Sequence, residues 1–65
     1  MKPNQEVRKE MRVQDITLWQ VAATLGVHEV TLSRWLRVQL TPEKRERVLA
    51  AIEAAAIKKA KGEVI

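Results

Sequence analysis

The chain has 65 residues, no cysteine, two tryptophans as its whole aromatic content, and twelve Lys and Arg against eight Asp and Glu, for a formal net charge of +4. That length accommodates one domain over residues 1–65, a size that buries only about 60% of the unfolded surface, and without cysteine neither a disulfide nor a thiolate metal site reinforces it. No apolar run approaches the ~18 residues of a membrane span and Met1 to Met11 is too charged for a signal peptide, so no membrane partner is expected and the expected compartment is the cytoplasm. The basic balance suits a polyanion, although a solvated surface accounts for it equally well. Two Trp without Phe or Tyr argue against an aromatic platform for single-stranded bases.

In chain order, Met1 to Pro3 reads as a loose end, and Asn4 can cap a first helix running to about Arg12, with Val7 and Met11 as its apolar stripe. Arg8, Lys9 and Arg12 interleave with Glu6 and Glu10, a solvated helix face with phosphate contact as the alternative. Val13 to Ile16 is a connection, in which Ile16 precedes the cap residue Thr17 as a hydrophobic staple. Thr17 and Gln20 have capping-box spacing, so a helix begins at Leu18, and Leu18, Val21, Ala22 and Leu25 share one face of it. Gly26 ends that helix in the left-handed conformation, and Val27 folds back onto it. The next helix starts at His28 or Glu29. Leu32, Trp35 and Leu36 form its inward stripe, and Glu29, Val30, Ser33, Arg34 and Arg37 lie opposite.

After Val38, Gln39 and Leu40, the order Thr41, Pro42, Glu43 is a helix start. The last helix spans about 42–61, with Lys58, Lys59 and Lys61 at the negative end of its dipole and Gly62 beyond as its stop, before a frayed tail from Glu63 to Ile65. The longest alternating stretch, Val27 to Leu32, lacks turn chemistry for a hairpin. The expected fold is all-α: a compact four-helix domain with a central helix-turn-helix over 17–37 and a long C-terminal helix. Its expected core is Val7, Met11, Ile16, Val21, Ala22, Leu25, Val27, Leu32, Trp35, Leu36, Leu40, Val48, Leu49 and Ile52.

The segment VAATLGVHEVTLSRWL resembles the helix-turn-helix of phage repressors and Cro-type proteins. The family pattern is an apolar residue followed by Ala, then apolar–Gly–apolar at the turn, then two apolar residues three apart. Val21 and Ala22, then Leu25, Gly26 and Val27, then Leu32 and Trp35 fill those slots. A small residue at the first contact allows two helices to cross at short range. One position departs. The family often places a phosphate-holding Gln at the start of its first motif helix, where this chain has Leu18 and Trp19, with Gln20 later.

The resemblance implies double-stranded DNA as partner, with His28, Glu29, Val30, Ser33 and Arg34 lining the major groove. Thr31 and Arg37 on the same helix, and Thr17, Trp19 and Gln20 at the start of the preceding one, complete the expected DNA-facing set. For Trp19 two placements stand open: covering the first helix, or exposed with its indole N–H toward a phosphate. Glu29 repels phosphates and near a base would accept from a cytosine amino group. The single histidine has no recognisable catalytic or metal-binding partners, and neither Ser33 nor Thr31 has a base in pattern, so no enzyme activity and no cofactor are expected. The expected function is sequence-specific DNA binding by a small transcriptional regulator of phage or mobile-element type, with a recombination accessory factor or a protein-docking module as alternatives. On the last helix, Ile57, Ala50 and Ala54 fall opposite the core stripe. They are read as a two-fold dimer contact that would place two reading helices about 34 Å apart. A lone surface Ile among good helix formers is the plainer alternative.

Overall fold

A computed structural model describes residues 4–62 and builds them as four α-helices: α1 (Gln5–Gln14), α2 (Leu18–Leu25), α3 (Glu29–Trp35) and α4 (Pro42–Ala60). No strand occurs among the described residues, and the all-α expectation holds. The readings made on Met1 to Pro3 and on Glu63 to Ile65 lie outside the described residues.

α1 runs two residues beyond the expected Arg12. Asp15 then takes the left-handed conformation at φ 56, donating its N–H to the Arg12 carbonyl, while the Ile16 N–H reaches the Met11 carbonyl at 2.8 Å. This is the paired-bond stop ordinarily made at glycine, and Asp is among the few other residues that enter it at modest cost. Lys59 from α4 secures the corner, with Nζ 2.7 Å from the Asp15 carbonyl oxygen and 2.8 Å from its Oδ2. That hydrogen bond first, and the ammonium charge second, hold the Asp15 carboxyl below its usual range.

α4 forms the base, packing against α2 and α1, whereas α3 rests mainly on α2. Val7, Ile16, Val21, Ala22, Leu32, Leu36, Leu40, Val48 and Ile52 are buried as expected, with Met11, Leu25, Val27, Trp35 and Leu49 half-buried against them. Ala51 and Ala55 are also buried, which the sequence analysis missed. The core line of α4 runs through Val48, Ala51, Ile52 and Ala55, because small side chains let a neighbouring helix approach closely. Gly62 takes φ 77 beyond α4, as expected of its stop residue.

Asn4 departs from the cap role assigned to it. It precedes α1 but makes no side-chain cap bond, because its backbone is left-handed, at φ 60 and ψ 38. Its side chain instead reaches the connection between α3 and α4. Nδ2 donates to the carbonyls of Leu36 (3.1 Å) and Val38 (2.7 Å), and Oδ1 accepts the Leu40 N–H at 2.8 Å. The Asn4 N–H donates to Gln39 Oε1. At 4% exposure Asn4 is a buried polar side chain with its amide satisfied, and losing it would strand buried backbone groups at a cost above that of an ordinary surface bond.

Glycine tolerates the left-handed backbone, so Asn4→Gly isolates the hydrogen-bond loss; it is expected to lower stability by about 2–3 kcal/mol in urea denaturation, and Asn4→Ala to lose ~1 kcal/mol more from backbone strain. An Asn4→Gly midpoint equal to that of the parent would show the clasp to be energetically idle.

Candidate nucleic-acid interface

The candidate site is the pair α2 and α3 with the turn between them. Thr17 begins α2 with an extended backbone, its Oγ1 accepting the Gln20 N–H at 3.3 Å while Gln20 Oε1 accepts the Thr17 N–H at 2.9 Å. The expected capping box is therefore present, and it occupies the oxygens of both side chains. The Thr17 hydroxyl hydrogen and the Gln20 Nε2 group remain as donors. Gly26 closes α2 at φ 77, with the Val27 N–H on the Ala22 carbonyl at 3.0 Å and the Gly26 N–H on the Ala23 carbonyl at 3.2 Å. A Cβ at Gly26 would meet nothing within 4 Å, so its φ, not crowding, is what calls for glycine.

His28 caps α3, with Nδ1 accepting the Val30 N–H at 3.4 Å, a long bond. Along α3, Leu32 and Leu36 are buried and Trp35 half-buried, and that stripe fixes the rotation of the helix. Glu29, Val30 and Arg34 are consequently exposed, as is His28, while Thr31 and Ser33 are half-buried at the flanks. Arg37, expected on the same helix, is exposed in the turn that follows it, because α3 ends at Trp35 and the Arg37 N–H turns back to the Arg34 carbonyl. Val30 is 52% exposed, a β-branched apolar side chain in water between charged neighbours. Neither Arg34 nor Arg37 has an acidic partner among the described residues.

Trp19 is 52% exposed and borders a shallow groove with Ala23, Val27, His28 and Glu29, which puts it beside the start of α3. Of its two open placements, this is nearer to the exposed one. Lys44, from the first turns of α4, places Nζ 4.8 Å from the centre of the Trp35 ring and shares a groove with Arg34, Val38 and Gln39. The contact adds a cation beside Arg34 that sequence reasoning did not name. Its signal is tertiary, since Trp35 and Lys44 lie on different helices.

On the far side of α4, Ile57 and Ala50 are exposed and Ala54 half-buried, alongside exposed Glu46 and Glu53. Among the described residues, no helix is long and apolar enough to cross a membrane. No protein-family model, curated protein or solved structure matches the chain.

The capping box sets where α2 begins. Thr17→Ala is expected to cost about 1 kcal/mol in thermal unfolding, whereas Thr17→Ser, which keeps the acceptor, should melt close to the parent. Equal melting of the alanine variant would mean that α2 does not rely on this cap.

Proposed function

We propose that the chain binds double-stranded DNA, laying the outer face of α3 in the major groove. The observation that carries this reading is the division of α3 and the turn after it: Leu32 and Leu36 are buried, whereas Glu29, Val30, Arg34 and, just past the helix, Arg37 form an exposed outer row in which neither arginine has an ion-pair partner among the described residues. An unpaired arginine on a helix held by its opposite face can present its fork to guanine O6 and N7. Val30 supplies the apolar contact that a thymine methyl accepts, and Glu29 the carboxylate that a cytosine amino group would donate to. His28, Thr31 and Ser33 flank the row, while Thr17, Trp19 and Gln20 stand at the start of α2, where a backbone phosphate would pass. The net charge of +4 favours the association.

The resemblance to phage repressors and Cro-type proteins extends this to a small transcriptional regulator, with a recombination accessory role as the variant within the same class. One reading helix covers few base pairs, so the reading includes a two-fold pair of chains joined through exposed Ile57 and Ala50 on α4. Docking of a protein partner is the second reading, and half-exposed Trp19 and Val30 are what favours it.

Arg34→Ala is expected to leave the helical circular dichroism unchanged and to weaken binding to a site selected from a random DNA pool by about 1–3 kcal/mol, relaxing the preference at one base pair. Fluorescence anisotropy on selected and random duplexes measures both effects. Unchanged affinity on the two would remove Arg34 from the interface.

A further inference from the structure

A groove of about 500 Å³ opens on the flank of α3, walled by α1 on one side and by the start of α2 on the other. Arg8 and Arg12 line it from α1, Thr17 and Leu18 from α2, and Ser33 from α3. The arginine wall is built by helical spacing. Arg8 and Arg12 are four residues apart and share one flank of α1, while Glu6 and Glu10 face a separate groove with Leu49 and Glu53.

Arg8 is fixed in place, its Nη2 donating to the Leu36 carbonyl at 3.1 Å. Arg12 is exposed and has no ion-pair partner among the described residues. The carboxylate on the rim, Asp15, is engaged by Lys59 Nζ at 2.8 Å, so its charge is opposed from the side of α4. The groove therefore sets two arginines, one of them held, and the hydroxyl-bearing Thr17 and Ser33 beside an apolar lining of Met11, Ile16, Leu18 and Leu36.

We infer that this groove receives one phosphodiester of the DNA backbone, with Arg12 as its principal charge contact and Arg8 and Ser33 beside it. The inference rests on the duplex reading proposed above and adds a strand-positioning contact outside the reading row. Continuity with that row decides for a duplex strand over an isolated anion: Ser33 adjoins exposed Arg34 on α3, and exposed Arg37 stands in the turn just after the helix, so a strand edging the outer face passes the groove mouth. Arg12 then contributes affinity and salt dependence but no base preference.

The test is the salt dependence of binding to labelled random-sequence duplex by the full chain, with the fold of each variant checked by circular dichroism. Arg12→Gln is expected to reduce the slope of log K against log salt by about one and to weaken all duplexes alike, about five- to tenfold near ~0.1 M salt. Lys58→Gln, which removes a charge of α4 that does not line the groove, should keep the parent slope. If the parent binds duplex and Arg12→Gln retains its slope, the groove assignment is overturned while the duplex reading stands. If the parent binds no duplex even at low salt, both fall. Replacing chloride by inorganic phosphate at matched ionic strength should weaken parent binding through competition, and less so in Arg12→Gln; phosphate bound at Arg12 with no effect on duplex affinity would mark a free-phosphate site and overturn the assignment to the DNA backbone.

Discussion

The carbonyl of Leu36 accepts two hydrogen bonds, one from Nδ2 of Asn4, which precedes α1, and one from Nη2 of Arg8 in α1, each 3.1 Å long. The orientation of α3 depends on that oxygen. A helix of seven residues has too few turns to hold itself, and α3 leans on the body mainly through α2. Its inner stripe fixes rotation about its own axis, and its far end needs a separate anchor. No glycine follows α3 to close it, and the last turn passes into Leu36 with right-handed backbone, leaving carbonyls that need donors. Two side chains from the start of the chain supply them. Asn4 also takes the Leu40 N–H, so the clasp holds the connection into α4 as well. The end of α3 is thereby coupled to the N-terminal residues, 28 and 32 positions away in sequence.

The same helix that anchors α3 separates charge. α1 turns Arg8 and Arg12 toward the flank of α3, and Glu6 and Glu10 toward α4, where Glu6 meets Arg45 at 3.1 Å. Half-exposed pairs of that kind contribute little to stability, but the arrangement keeps Glu6 and Glu10 away from the flank of α3, where Glu29 and the Lys59-paired Asp15 are the nearby carboxylates. Lys44 over the Trp35 ring extends the basic side past Arg34.

Local signals made much of this legible from sequence. Thr17 with Gln20, Gly26 with Val27, and Thr41 with Pro42 each carry helix-end chemistry within a few residues, and all three ends stand where that chemistry puts them. The stripe of Leu32, Trp35 and Leu36 was enough to identify the outer residues of α3. What escaped was tertiary. Asn4 has the composition of a helix cap, and nothing local reveals that a left-handed backbone turns its amide toward Leu36, Val38 and Leu40. Arg8 and Arg12 read as a solvated face because their neighbours on the groove come from α2 and α3. Asp15 carries no helix-stop signature as strong as glycine, so α1 was ended two residues early. Ala51 and Ala55 were passed over because helix propensity alone explains alanine, while their burial depends on how α4 is rotated.

The central claim is that the outer face of α3 meets duplex DNA while α1 and α2 hold it in place. Backbone amide chemical shifts of labelled protein, followed as a duplex of selected sequence is added at low salt, test this most directly. The account predicts the largest shifts from His28 to Arg37 and at Thr17 to Gln20. Shifts concentrated on α4, or none at saturating duplex, would contradict it.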